Sequence, residues 1–491
     1  MVLLGLFSCA TPNQDNYDLL LKQYQSNPAD SIKLQALRFL VSEIPGQVSE
    51  RPLFWKINGS DSTSIKPDSL ARLDHPLAII KQFNLIPGSE WVNDPQIIDE
   101  QRLEKEIAYA VELWNRHPWN KGVPKDIFLE YLLPYKVHAE YPDNWREHLA
   151  SRTDTFISRW QNDYQSQPHD PKFTNSNDFY YDLIVNTASR WFGYGPDSLK
   201  ITADPSFAEL LISKKGGCMK GAFFNAYVLR TAGIPATVDV VPYWGSQNGT
   251  HASEVYWNNQ EIKMTPGPGR KFHTAAKVFR LTFKNQYSWT KGIKPFVTEK
   301  DFLLNDLRND YWQDVTAEHN TTSDIHMPIV SSQKALGFAY ICVYNYNSWE
   351  PLFWGTVTNG NALFKNMGRN VLYRIAIPTF SGFDYTGSIF LLDSMGKVKT
   401  FSPDLQKRQS MKFSKLNTGS EMWVKKNAAY TLYLLNKQNE WDRISEKVCT
   451  QDSTIEFDKV PTSGLYRLVE NGGSGVLERI FAYENDQQVW Y

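Results

Sequence analysis

The sequence has few cysteines, little net charge and no long apolar run. Only four cysteines occur in 491 residues, with no CxxC spacing and no nearby histidine cluster, so a structural zinc site is not expected. Nothing else in the sequence indicates a metal or an organic cofactor. The 52 basic and 53 acidic residues leave a formal net charge of −1, without a dense basic run. This balance lacks the electrostatic signature of proteins that bind nucleic acid.

The length and composition are those of a multidomain globular protein. Domains usually contain about 100–200 residues, so the chain is expected to form three or four units. The hydrophobic fraction of 42% and the charged fraction of 21% are ordinary for such a chain. Aromatic residues are abundant, with 16 Trp, 25 Tyr and 27 Phe, and we interpret most of them as cores of β-domains. The alternative is that some line grooves that stack on sugars or hold peptides.

The first ten residues resemble a targeting signal. Their apolar run is too short to cross a bilayer, which takes about 20 residues. Leu6-Phe7-Ser8-Cys9 resembles the lipobox of bacterial lipoproteins, in which the cysteine becomes the lipidated first residue of the mature chain. The resemblance implies an outer-membrane lipoprotein of the cell envelope that faces the periplasm or the cell surface. Residues 1–9 would be the signal remnant, and the lipid on Cys9 the only membrane contact. The alternative is an unlipidated, frayed terminus.

Residues 15–165 are predicted to be mainly helical. Apolar residues recur near helical spacing in four segments: 18–25, 30–44, 103–117 and 145–163. Pro45-Gly46 ends the second of these segments, because proline cannot continue a helix.

The rest of the chain is predicted to contain an α+β segment at 170–290 and β-domains beyond it. Four runs rich in aromatic and β-branched residues lie between turn signals: 338–344, 371–377, 388–392 and 431–435. They fit antiparallel β-sandwiches at 325–415 and 425–491, the second being a separate domain or the second half of the first, with a junction near 414–427. Cys342 and Cys449 are expected to be free structural thiols, and a disulfide between them is the alternative outside the cytoplasm.

The segment around Cys218 carries the chemical signal. Gly216-Gly217-Cys218 precedes a run that suits an α-helix, so Cys218 is predicted to lie at the helix amino terminus. Unpaired N–H groups and the helix dipole favour an anion there, and a thiol in such a place becomes a better nucleophile. The two glycines would let a substrate backbone approach closely. Three lysines add positive potential nearby: Lys214, Lys215 and Lys220.

A histidine follows at a spacing that suits a nucleophilic pair. After the helix come a turn and a β-strand, then the loop 245–250, and His251 opens a second strand. A Cys–His pair needs an imidazole that can reach the sulfur and take its proton. The order therefore predicts Cys218 and His251 as reactive residues. The structural alternative is a buried, inert cysteine and an ordinary strand histidine.

These motifs resemble the transglutaminase-like superfamily, which has a papain-like cysteine fold. The resemblance rests on the Gly-Gly-Cys helix start, the Arg230-to-Ala236 turn and the strand 251–257. More narrowly, the chain resembles transglutaminase-domain lipoproteins of Bacteroidetes, through flanking segments at 130–135, 144–146 and 478–484. The resemblance implies a multidomain α+β protein with a transglutaminase-like domain at 170–290, between the helical region and the β-sandwich domains.

The third catalytic residue of that superfamily is an acid, and here its place is not filled. The acid usually lies on the strand after the histidine strand, where this chain has the stretch 259–266, with Thr265 nearest the expected position. Asp239 and Glu261 are the candidate replacements. A Cys–His dyad without a third member is the remaining alternative.

Two functions follow from these features. The resemblance implies a cysteine hydrolase, a peptidase or amidase, acting on a peptide, protein or glycoconjugate substrate through Cys218 and His251. The alternative is a catalytically impaired fold that serves as a glycan- or peptide-binding scaffold, suggested by the missing acid and the aromatic β-region. No nucleic-acid partner is expected.

Overall fold

The computed structural model describes residues 17–58, 61–116, 120, 122–150, 153, 158, 190–258, 265–266, 274–286, 310–329, 337–379, 382–419 and 422–491. These residues form helices and mostly antiparallel sheets, which confirms the expected α+β class. The chain divides into two compact units. The first comprises 1–239, 252–270 and 281–285, and the second comprises 240–251, 271–280 and 286–491.

The described helices of the first unit include those that the apolar spacing predicted near the amino terminus. They are α1 (Asp18–Ser26), α2 (Ser31–Glu43), α3 (Pro67–Ala71), α4 (Pro76–Gln82), α5 (Glu100–Arg116), α6 (Lys125–Tyr131), α7 (Phe207–Ser213) and α8 (Cys218–Thr231). Residues 145–150 are also helical. Helix α5 buries Leu103, Ile107 and Ala110, which recur every three or four residues and therefore share one face.

Within the mainly helical residues 15–165, the structure also contains a three-stranded antiparallel sheet that the sequence did not predict. Its strands are β1 (Val48–Asn58), β2 (Asp61–Ile65) and β3 (Ile86–Asn93), in the order β2-β1-β3. The sequence signal was weak because β3 is mostly exposed and so lacks alternation of apolar and polar residues. Strand β3 is defined instead by its pairing with β1, in which eight residues of each strand face each other.

A buried, irregular connector follows α6 and contains the first flanking motif. Residues 131–138 are buried, so their backbone carbonyls need partners inside the protein. Arg146 donates to the carbonyls of Leu132, Leu133 and Pro134, at 2.6, 3.1 and 3.0 Å. Arg230 on α8 donates to the carbonyl of Lys136 at 2.9 Å. The motif at 144–146 therefore supplies hydrogen bonds to the carbonyls of the motif at 130–135, so both motifs have a structural role.

Short strands precede and follow α8 in the sequence. Their bounds are β4 (Gly193–Tyr194), β5 (Lys215–Gly216), β6 (Ala236–Val241), β7 (His251–Tyr256), β8 (Thr265–Pro266), β9 (Phe279–Leu281) and β10 (Trp312–Asp314). Five of them form a sheet in the order β10-β9-β6-β7-β8, and β4 pairs with β5 in a separate parallel ribbon. The predicted sequence of helix, strand and histidine strand is confirmed.

The rest of the second unit is built almost entirely from antiparallel strands. They are β11 (Thr322–Pro328), β12 (Phe338–Asn345), β13 (Ser348–Thr358), β14 (Asn361–Gly368), β15 (Val371–Thr379), β16 (Gly382–Leu392), β17 (Val398–Thr400), β18 (Asp404–Phe413), β19 (Ala429–Leu435), β20 (Trp441–Val448), β21 (Ile455–Thr462), β22 (Leu465–Glu470), β23 (Phe481–Glu484) and β24 (Gln487–Trp490). One short helix, α9 (Thr316–His319), precedes them. All four strand runs predicted from the sequence lie within these strands.

The carboxy-terminal strands form three sheets around two cores. A seven-stranded sheet has the order β11-β14-β13-β12-β15-β16-β17, a five-stranded sheet the order β20-β19-β22-β23-β24, and β18 pairs with β21. One core lies between β18–β21 and the five-stranded sheet, where Phe413, Phe457 and Leu432 are buried together. Strand β18 precedes the predicted boundary at 415 yet pairs with β21 beyond it. Its pairing therefore connects the two predicted β-segments across that boundary.

Candidate active site

Cys218 begins helix α8, as the sequence predicted. Gly217 is the extended residue before the helix, and Cys218 is a half-buried, free thiol. An α-helix leaves the N–H groups of its first turn without intrahelical partners. A thiolate or a developing oxyanion beside Cys218 would therefore face the positive end of a 14-residue helix.

The chain just before Cys218 is fixed by a parallel ribbon. Lys215 and Gly216 pair with Gly193 and Tyr194, and Gly195 N–H donates to the carbonyl of Gly216 at 3.0 Å. A side chain at position 216 would collide with its surroundings: a Cβ there would lie 2.6 Å from Lys220 Cδ and 2.7 Å from an Asp197 oxygen. The glycine at 216 is thus required by internal packing, whereas the sequence suggested only access for a substrate.

The charges around the helix start differ from those expected from the lysines alone. Lys220 is buried, forms an ion pair with Glu209 at 3.2 Å and donates to the carbonyl of Leu199. Burial raises the pKa of the Glu209 carboxyl. Lys214 and Lys215 are exposed. Because Lys220 is neutralised by its own partner, it contributes little positive potential to the thiol.

Asp197 is a functional candidate that the sequence analysis missed. Its Oδ1 accepts a hydrogen bond from the backbone N–H of Gly217 at 2.8 Å. The side chain is exposed, and its carboxylate lies at the helix end that also carries Cys218. The one available signal was the turn sequence Gly195-Pro196-Asp197, a favourable setting for a carboxylate that binds backbone N–H groups.

The three candidates for the third catalytic residue lie in different settings. Asp239 is fully buried on β6, where every residue is buried. Thr265 begins β8 and is paired with Tyr256. Tyr256 is the last residue of β7, whereas His251 is the first. The Thr265 side chain and the whole of Glu261 lie outside the described residues. Asp239 is thus the one candidate whose side chain the structure describes, and its catalytic role stays a prediction.

His251 begins strand β7, also as predicted, and belongs to the second unit. Its ring stacks on that of Trp244, with centroids 5.6 Å apart and an interplanar angle of 30°. Trp244 is anchored in a small core with Val241, Ala275 and Val278. The tryptophan fixes one face of the imidazole, while the approach of His251 to Cys218 stays a prediction.

The other cysteines behave as the sequence suggested. Cys342 and Cys449 are buried and free within the described chain. Burial raises the pKa of the Cys342 thiol. The Cys449 thiol donates to the carbonyls of Gln451 and Thr454. Neither thiol is a candidate nucleophile, and Cys9 lies outside the described residues.

The described residues contain no candidate metal site and no candidate membrane-spanning helix. They hold no grouping of three or more His, Cys, Asp or Glu side chains that could bind a metal ion. In the same part of the chain, no helix is long and apolar enough to cross a membrane.

Comparisons with known proteins do not establish a family for this chain. No protein-family model matches the chain, and no curated protein does. Among solved structures, a transglutaminase from red sea bream aligns over 90% of this chain and 78% of its own, with 10% identity and a TM-score of 0.20. The chain is therefore similar to a transglutaminase at a low level only.

Proposed function

We propose that this protein is a transglutaminase-like cysteine hydrolase of the cell envelope that cleaves amide bonds through Cys218 and His251. The observation that carries the proposal is the position of Cys218, a half-buried free thiol in the first turn of α8. The first-turn N–H groups stabilise negative charge at that point. His251 supports the proposal because it opens the second strand after α8 and its ring is oriented by Trp244.

The reaction follows from these roles. His251 takes the proton of the Cys218 thiol, and the sulfur attacks the amide carbonyl carbon. The backbone N–H of Cys218 donates to the oxyanion that forms. The C–N bond then breaks, the leaving amine takes the proton from His251, and a thioester remains on Cys218. Water, deprotonated by His251, cleaves the thioester to release a carboxylic acid and restore the thiol. In this scheme Asp239 is proposed to orient the imidazole.

The proposal is tested by the reactivity of Cys218 in full-length protein carrying Cys9→Ser. Alkylation by iodoacetamide is followed for each cysteine by peptide-resolved mass spectrometry from about pH 5 to 9, against the same chain unfolded in urea. We expect Cys218 to react at least about tenfold faster than its unfolded reference at about pH 6. We expect His251→Ala to abolish this excess rate.

His326→Ala is the matched control, because His326 is an exposed strand histidine of the same unit. It should leave the alkylation of Cys218 unchanged. A Cys218 that reacts like its unfolded reference at every pH would refute the nucleophile assignment. An excess rate that survives His251→Ala would refute the pairing.

One observation favours the second function, a binding protein on a catalytically impaired fold. The Asp197 carboxylate already accepts a hydrogen bond from the N–H of Gly217, so it brings a negative charge to the residue that precedes Cys218. A peptide library and a glycan array, screened with wild type and Cys218→Ala, separate the two functions. Binding that is equal in both proteins, together with a slow Cys218, would establish the scaffold.

A further inference from the structure

The loop that leads to His251 is held by residues far away in the sequence. Residues 242–250 connect β6 to β7 and contain no regular secondary structure of their own. A loop of nine residues has many conformations unless its backbone groups find partners. Within the second unit, several hydrogen-bond partners of this loop lie in the carboxy-terminal β-domains.

Arg479 is the centre of this network. It is fully buried and donates four hydrogen bonds. Two of them end on the loop, at the Gly245 carbonyl (2.6 Å) and at Asn248 Oδ1 (2.9 Å). The other two end on the β-domains, at the carbonyls of Tyr344 and Tyr491, both at 2.8 Å. One guanidinium group thus ties the loop to strand β12 and to Tyr491.

Asn345 and Asn248 add a second set of bonds. Asn345 is buried at the end of β12 and exchanges two hydrogen bonds with the backbone of Gly249, at 3.0 and 3.1 Å. Asn248 donates to the carbonyl of Leu477 at 2.9 Å and accepts from Tyr346 N–H at 3.1 Å. The β-domains therefore bind the loop at Gly245 and again at Asn248 and Gly249.

Close packing leaves the loop little room to move. A Cβ at Gly245 would collide with the carbonyl oxygen of Thr274 and with the side chain of Val371. Gly245 N–H donates to that same carbonyl at 2.7 Å. Burial also lowers the pKa of Arg479 to about 10, because removal from water disfavours the charged guanidinium.

We propose that Arg479, Asn345 and Asn248 form a latch by which the carboxy-terminal β-domains position His251 and its stacking partner Trp244. Arg479 is then a positioning residue, and the β-domains are part of the scaffold that holds His251. The catalytic meaning of the latch rests on the proposed function, whereas its effect on the position of His251 does not.

The test uses full-length Arg479→Lys and Asn248→Ala. Lysine keeps the positive charge but loses the planar fork that reaches four acceptors. Asn248→Ala is the milder variant, because it removes three loop bonds and leaves the other three bonds of Arg479 in place. Arg369→Gln is the matched control, since Arg369 lies in the same unit and its side chain donates to Ser323 and to the carbonyl of Ser394, neither of which belongs to the loop.

Two readouts report the latch without any catalytic assumption. Amide hydrogen exchange of peptides covering 242–250 should become about tenfold faster or more in both latch variants, because each loses hydrogen bonds at the loop. The ring Cε1–H signal of His251, identified by its loss in His251→Ala, should shift in both variants and stay in place in Arg369→Gln. Unchanged exchange and an unchanged His251 signal in folded Asn248→Ala would overturn the latch.

The alkylation rate of Cys218 then separates the two proposals. If the latch and the Cys–His pair are both correct, the latch variants lose most of the excess rate at about pH 6. If His251 moves but Cys218 is insensitive even to His251→Ala, the latch stands and the hydrolase proposal fails. If His251→Ala slows Cys218 while the latch variants do not move His251, the hydrolase proposal stands and the latch fails.

Discussion

The carboxylate of Asp197 accepts a hydrogen bond from the backbone N–H of Gly217, 2.8 Å away, at the residue that precedes Cys218. The same helix end therefore carries both a fixed negative charge and the proposed nucleophile. The charge disfavours a thiolate, while the hydrogen bond holds the Gly216–Gly217 bend in place. These two effects can be separated by substitution, because asparagine keeps the acceptor and removes the charge.

We expect Asp197→Asn to raise the alkylation rate of Cys218 at about pH 6 by about two- to fivefold, a modest effect because an exposed charge is screened by solvent. The measurement is the pH profile of iodoacetamide labelling at low ionic strength. Asp18→Asn, which removes an exposed acid from α1, should have no effect. A slower reaction in Asp197→Asn would mean that the carboxylate assists the thiol.

Gly216→Ala is expected to disturb the start of α8. Its Cβ would press against Lys220 and Asp197, at 2.6–2.8 Å, so the ribbon before Cys218 must shift. We expect a loss of stability of about 1–3 kcal/mol together with an altered alkylation rate of Cys218.

Gly221→Ala is the matched control in the same helix, because a Cβ there meets nothing within 4 Å. That variant should gain up to about 1 kcal/mol, measured by urea unfolding. Equal effects of the two substitutions would contradict the packing role of Gly216.

Arg146→Met should destabilise the protein strongly. Arg146 is buried, binds Glu106 at 2.7 Å and donates to three carbonyls of the connector, so its loss leaves a buried charge and buried acceptors unpaired. The expected loss is about 3–5 kcal/mol of unfolding free energy. Arg116→Met removes an exposed ion pair with Glu112 and should cost less than about 1 kcal/mol. A small effect at Arg146 would show that the connector does not depend on it.

Unfolding free energy should fall as the pH rises from about 5 to 8. Burial raises the pKa of Glu130 to about 7, and burial together with the charge of Asp68 raises that of Asp143 to about 7. Between the unfolded and folded pKa values the folded chain binds more protons, so ionisation favours unfolding.

Glu130→Gln should remove much of this slope, because glutamine does not titrate and its carbonyl can still accept from Phe283 N–H. The contribution of Glu130 is at most about 3 kcal/mol, from a shift of about 2.5 pKa units. The measurement is urea unfolding at pH 5, 6, 7 and 8, with the exposed residue Glu112→Gln as control. An identical slope in wild type and Glu130→Gln would contradict the assignment.

Cys9 is proposed to be the site of lipidation. Expression in a bacterial host with an alkyne-labelled fatty acid should label the wild type and not Cys9→Ser. Cys342→Ser is the control, since Cys342 is buried in a β-strand and should not affect labelling. Equal labelling of Cys9→Ser and wild type would remove the basis for a lipid anchor.

Local patterns in the sequence were enough to place several elements. The apolar spacing of 30–44 predicted α2, and the double glycine predicted that α8 begins at Cys218. The aromatic and β-branched runs predicted β12, β15, β16 and β19. These predictions succeeded because helix periodicity, glycine at helix ends and β-branched strands all express preferences of neighbouring residues.

Long-range pairing explains what the sequence did not show. The exposed strand β3 is defined by hydrogen bonds to β1, and β18 is assigned by its pairing with β21, some 50 residues later. The role of Arg479 was likewise hidden, although its segment stood out as a motif. Its acceptors are spread from Gly245 to Tyr491, and no local pattern encodes such a set.

The sequence by itself determined the order of the site: a cysteine at a helix start, a strand, and a histidine opening the next strand. Tertiary structure alone decided which charges surround the cysteine, with Lys220 neutralised by Glu209 and Asp197 brought to Gly217. It also decided what holds the loop before His251. The physical reason is that backbone periodicity acts over a few residues, whereas ion pairs and buried hydrogen bonds depend on which distant segments fold together.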